Sequence, residues 1–239
     1  MSGHARRDKA GGTWNVCRMG VGVIAGGLMF VGQARATPIV SESFESSPSS
    51  VFGQFASYGY AENYTSANTP PNPGLRYFTG TTGLATQTHA GTVPLSSVPS
   101  AAIDAGLANY DLSAYFSTYQ DQRDFSEVRL QFKNATGGNV GNLVTIGGQA
   151  FVAGLELGPN ADGLPNYRDW GLDSASGIVP AGARSAALSI FTQRFDGAAA
   201  DGYLDLLSLD VSTVPEPGAA TLAAFAAALV GLRRRRRAP

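Results

Sequence analysis

The chain has two histidines, His4 and His89, and one cysteine, Cys17. A zinc centre takes several nitrogen or sulfur ligands, and His89 stands alone in the long central stretch of the sequence. No Gly-x-Ser-x-Gly elbow presents a nucleophilic serine. Sixteen carboxylates lie between residues 37 and 214, but no spacing singles out a pair for sugar hydrolysis. The glycine clusters at 137–141 and 147–148 open no helix, as a phosphate cradle would require, and read as turns. Asp121, Asp124 and Glu127 beside Arg123 and Arg129 read as a solvated, salt-paired entrance to a strand. These residue types point away from catalysis, and no catalytic residue is assigned.

Aromatic side chains are the remaining candidates. Tyr58, Tyr60 and Tyr64, with Tyr77 and Phe78 downstream, could stack sugar rings, because an aromatic ring has an apolar face and a polar rim. Trp170, the one tryptophan of the central stretch, could also line a sugar cleft. A lone tryptophan in a β-sandwich usually belongs to the core. Tyr60 and Trp170 are therefore carried as candidate ligand-binding residues, with core packing as the competing role.

The elements that must position these residues follow from how charge and apolarity are distributed. The net charge of −1 over 239 residues hides three segments. Residues 37–214 hold seven basic and sixteen acidic residues, a net of −9, while both ends are cationic and apolar. An acidic body of this kind lacks the basic face that nucleic acid requires.

The first end has a basic start, an apolar run at 19–31 and then Ala34-Arg35-Ala36, the small-x-small pattern of a cleaved export signal. Cleavage is expected between Ala36 and Thr37; the alternative is an N-terminal anchor that stays attached. Cys17 would leave with that segment, so the mature body has no disulfide or thiolate chemistry. At the other end Val214, Pro215, Glu216 and Pro217 precede an apolar, helix-forming run at 218–232, and Arg233 to Arg237 follow. The prolines end any strand and pre-set a helix start. The run would span about 22 Å as a helix, short for a bilayer, but arginines snorkel and membranes thin. The arginines hold their side of the membrane and leave the body outside.

Between the ends, short strand-like runs at 39–44, 128–132, 142–146, 186–191 and 203–211 are separated by turns. In 127–133, Val128, Leu130 and Phe132 face one way, and Glu127, Arg129, Gln131 and Lys133 face the solvent. Helical patches are expected at 100–107, capped by Ser97 or Ser100, and more weakly at 113–119. The expected fold is all-β, a jelly-roll type β-sandwich over 37–212, flanked by a signal helix (1–36) and a C-terminal transmembrane helix within 213–239.

The tail from Val214 to Arg237 resembles the PEP-CTERM sorting signal of Gram-negative bacterial exosortase substrates, in its Pro-Glu-Pro triplet, spacing, apolar run and arginine cluster. The resemblance implies export across the inner membrane and a transient membrane hold through 218–232. It further implies processing near Pro215, Glu216 and Pro217 by an exosortase-type enzyme after signal peptidase has acted at Ala36, and release to the envelope or exterior. A plain tail anchor is the alternative. The segments at 43–46, 110–115, 176–185 and 201–209 resemble galactose-binding-like and carbohydrate-binding-module jelly rolls. That second resemblance assigns a possible structural calcium to Glu45 and Asp205. Leu206 stands where that pattern has an asparagine. The function expected is a non-catalytic structural or adhesive β-sandwich in an extracellular matrix. A carbohydrate-binding module for an extracellular polysaccharide is the first alternative and an extracellular hydrolase the second.

Overall fold

Alternation of apolar and polar residues along several segments demands strands with one covered face, and the computed structural model supplies two sheets that cover each other. It describes residues 37–60, 69–159, 163 and 165–213. The signal segment with Ala36, the tail with Pro215, Glu216 and Pro217, the apolar run 218–232 and Tyr64 lie outside the described residues. Among the described residues no helix is long and apolar enough to cross a membrane.

The strands are β1 (Thr37–Glu42), β2 (Ala56–Gly59), β3 (Arg76–Thr79), β4 (Thr86–Pro94), β5 (Ala108–Thr118), β6 (Phe125–Lys133), β7 (Asn139–Gly147), β8 (Leu157–Gly158), β9 (Tyr167–Arg168), β10 (Gly171–Ile178), β11 (Ser185–Gln193) and β12 (Gly202–Thr213). Two short helices, α1 (Ser100–Asp104) and α2 (Gln149–Ala153), interrupt them. One sheet runs β10-β5-β12-β3-β2, with β1 also on β12. The other runs β4-β11-β6-β7, and β8 pairs with β9 alone. The two large sheets pack face to face, and the fold is an all-β sandwich.

The core is built from the alternating positions. Val128, Leu130 and Phe132 of β6 and Leu188 and Ile190 of β11 are buried from one side, and Leu112, Phe116, Leu204 and Leu209 from the other. Each such side chain contributes roughly 1.5–3 kcal/mol of burial.

Strands cover all five expected runs, displaced or lengthened by a few residues at their ends. Three local expectations are corrected. The patch at 113–119 falls in the second half of β5, which pairs with β10 as far as Phe116 and with β12 as far as Thr118. Helix α1 has Pro99 at its N-cap with no side-chain cap hydrogen bond, so neither Ser97 nor Ser100 caps it. Asp124 is no solvated entrance residue: it is wholly buried (0 % exposed), and its carboxylate accepts backbone N–H groups of Phe195, Asp196 and Asp201.

Candidate functional site

Two outward faces of the sandwich carry the functional candidates, and they differ in kind. The first is the outer face of the six-stranded sheet. Strand β12 slips register between Asp205 and Ser208, with Leu206 at φ 50°. Leu204 and Leu207 both turn into the core across this slip, and Tyr203 and Asp205 turn outward. Beside them stand Tyr77 of β3, Tyr58 of β2 and Tyr115 of β5, which register pairs with Asp205. Tyr60 and Trp170 close over this row from flanking loops.

The structure brings Tyr60 and Trp170 together, with ring centroids 5.8 Å apart. Trp170 also meets Tyr77 edge-on at 5.2 Å and stacks on Tyr203 at 6.2 Å. Trp170 is only 6 % exposed and Tyr77 and Tyr203 are buried, so these rings form a second, tyrosine-rich core. Tyr60 is half-buried, and its hydroxyl donates to Asp205 Oδ2 at 2.7 Å.

Asp205 is fully buried, and its Oδ1 accepts the Leu206 N–H at 2.7 Å. Burial pushes its carboxyl up to about 7, offset in part by the Tyr60 and Leu206 hydrogen bonds, while the charge of Glu45 raises it further. Glu45 accepts the backbone N–H groups of Leu75 and Arg76. Gly74, at φ 70°, leaves the room for this, since a Cβ there would sit 2.0 Å from Glu45 Oε1. Glu45 and Asp205 are thus electrostatic neighbours. Calcium takes six to eight oxygens, and no group of three or more acidic, histidine or cysteine side chains suited to a metal occurs among the described residues. By themselves the two carboxylates do not make a calcium centre.

The second face belongs to the four-stranded sheet. Its outward side chains line up in rows across β4, β11, β6 and β7. One row is Pro94, Ser185, Lys133 and Asn139, and another is Ala90, Ser189, Arg129 and Thr145. The β4 and β11 positions are small, and those on β6 are long. The step between them is a groove of about 520 Å³, with Ala90, Thr92, Ala187 and Ser189 as floor and Arg129, Gln131, Lys133, Asn139 and Leu143 as wall.

The four polar wall residues are held in place. Strand β7 slips register opposite Gln131, whose amide donates to the Val140 carbonyl at 3.0 Å. Leu143, just beyond, is left 56 % exposed at the rim. Arg129 lies over the Phe191 ring at 4.4 Å and pairs with Glu127. Lys133 Nζ donates to Asn139 Oδ1 at 2.7 Å. No carboxylate lines the groove among the described residues.

His89 faces inward, half-buried, edge-on to Phe78 at 5.5 Å. Burial lowers its pKa, with opposing hydrogen bonds to the Gln54 and Phe52 backbone. It meets neither face.

The sequence reading misses this groove. The alternation of 127–133 announces an outward row of charged and amide side chains, but the small residues facing it lie on β4 and β11, about 40 to 60 positions away. Only long-range register places them side by side.

No protein-family model matches the chain, and no curated protein matches it. Among solved structures it is similar to the CBM22-1 xylan-binding domain of Paenibacillus barcinonensis Xyn10C, at 12 % identity over 76 % of this chain and 99 % of that one, TM-score 0.37. It is similar to Family 16 Carbohydrate Binding Module-2 at 17 % identity over 57 % of this chain and 77 % of that one, TM-score 0.35. A third is the enzymatically active domain of bacteriophage CBA120 tailspike protein 4, at 12 % identity over 67 % of this chain, TM-score 0.37. The match spans only 19 % of that tailspike chain. At these TM-scores the likenesses carry no argument about ligand or activity.

Proposed function

We propose that the protein is an exported, non-catalytic glycan-binding module with a jelly-roll type sandwich, and that a polysaccharide strand lies in the groove of the four-stranded sheet. The groove itself carries this reading. Sugars present flat C–H faces ringed by hydroxyls. A floor of small side chains lets such a face approach closely, and a wall of amide, guanidinium and ammonium groups offers donors to the hydroxyls. Glycoside hydrolysis needs two facing carboxylates; the carboxylate-free lining supports binding over cleavage there.

This reading takes the place of a purely structural or adhesive role. It also moves the sugar contact away from Tyr60 and Trp170, because a tryptophan already packed on three tyrosines has no free face to stack. Calcium at Glu45 and Asp205 is no part of it. Export and processing are proposed from the ends of the chain: the cleavable signal up to Ala36, and the tail with Pro215, Glu216, Pro217 and the arginine cluster. The partners would be signal peptidase, an exosortase-type enzyme, the membrane in passing through 218–232, and then an extracellular polysaccharide.

Ser189→Tyr tests the groove by filling its floor. Affinity electrophoresis of the full-length protein in detergent against a panel of neutral and acidic polysaccharides should show binding by the natural chain. Ser189→Tyr should lose about tenfold or more, the scale of a blocked contact set, with thermal unfolding unchanged. Tyr60→Phe should bind as the natural chain does. Loss of binding in Tyr60→Phe alone would return the site to the aromatic face, and no binding by the natural chain to any glycan would overturn the proposal.

A further inference from the structure

Resting on the glycan-binding reading of the same groove, we infer that its occupant is an acidic polysaccharide, with a uronic-acid carboxylate seated on Lys133. The body carries net −9, with seven basic side chains between residues 37 and 214. Two of the seven, Arg129 and Lys133, line this one groove without a carboxylate in the lining. The others are committed elsewhere. Arg123 pairs with Asp196 and Arg184 with Asp104. Arg76 is bonded to Ser57, and Arg168 and Arg194 to backbone carbonyls.

Lys133 is the only lysine of the body. It forms no ion pair among the described residues, and its one hydrogen-bond acceptor is the neutral amide of Asn139. An ammonium has three donors, so two remain for a ligand. Arg129 gives one edge to Glu127, and that neutralises its charge locally.

One unneutralised ammonium, flanked along its row by Ser185 and Asn139, matches a single carboxylate with two oxygens and hydroxyls on either side. It does not match nucleic acid, whose stable binding neutralises several phosphates together.

The experiment compares hyaluronan, alginate, polygalacturonate and glucuronoxylan, each with its carboxyl-reduced form, for binding to the full-length protein in detergent. Reduction turns the carboxylate into a hydroxymethyl group and leaves the backbone alone. At least one acidic glycan should bind about tenfold more tightly than its reduced form, the scale of one hydrogen-bonded charge. Lys133→Met should erase that preference while keeping the binding of the reduced form. Lys133→Arg should keep it, and Arg123→Met, outside the groove, should leave it untouched.

Equal binding of acidic and reduced forms, each abolished by Ser189→Tyr, would overturn the carboxylate and leave the glycan reading standing. A preference that survives Lys133→Met, or dextran sulfate outcompeting every uronate, would also overturn it. Binding of nothing in this panel by a folded protein would overturn the acidic occupant; the glycan reading falls with it only if the neutral polysaccharides also fail to bind.

Discussion

Asp124 and Asp201 are neighbouring buried acids with unequal support. Asp124 receives three backbone N–H groups, at 2.5, 2.9 and 3.0 Å. Among the described residues, the side chain of Asp201 has only the distant Tyr203 hydroxyl, at 3.4 Å. Burial first, and the charge of Asp124 second, push the Asp201 carboxyl up to about 6. Its ordinary value is about 3.9, so folding takes up a proton between these two. The stabilising contribution is complete below about pH 4, falls as pH rises through about 6, and is gone above it. Asp201→Asn keeps the shape and removes the proton. In urea unfolding, the loss of stability from about pH 4 to about pH 8 should shrink by ~2 kcal/mol in this variant. An unchanged loss would assign the pH dependence to other groups.

Strand β12 holds the two faces of the molecule apart. Its inner side delivers Leu204, Leu207, Leu209 and Val211 to the core, and its outer side delivers Tyr203 and Asp205 to the tyrosine cluster. The slip at Leu206 divides its edge, so that β1 pairs along Leu207 to Val211 and β3 pairs at Leu204. At its start Gly202 lies against the other sheet. A Cβ there would stand 2.2 Å from the Phe125 carbonyl carbon and 2.4 Å from its oxygen. The obstacle is backbone, which cannot rotate away. Gly202→Ala should therefore destabilise the protein by ~1–3 kcal/mol, read as a lower urea midpoint at unchanged slope. A midpoint equal to the natural chain's would mean that the sheets separate freely at this corner. Strand β5 teaches the complementary lesson. A weak helical pattern at 113–119 yields to strand because β10 and β12 satisfy its backbone on both edges.

Across the sandwich, one outer face is closed by aromatic rings and the other is open, with Lys133 half-buried in its groove. The tail is proposed to bring that open face outside the cell. Replacing Arg233 to Arg237 with serine should remove the charge that holds the apolar run at the membrane, so the processed product should disappear from the envelope and medium. Intact-mass analysis of the exported natural protein should find ends near Thr37 and Pro215 to Pro217. Undiminished delivery of the serine variant would refute the sorting role.

How much of this was legible before the fold depends on range. The strands of 127–133 and 203–211, the all-β class and the chemically distinct ends are local properties of alternation, turn residues and charge, readable within a dozen positions. The pairing of Tyr60 with Asp205 spans 145 positions, and Asp124 with Asp201 spans 77. Sequence alone determined that this chain is an acidic, strand-rich body between two apolar, cationic ends, because periodicity and charge act between near neighbours. Tertiary structure alone decided that Trp170 is packed away, that Asp124 is buried and that small residues of β4 and β11 lie beside Lys133. Those outcomes depend on sheet register, which is set by the whole core closing at once.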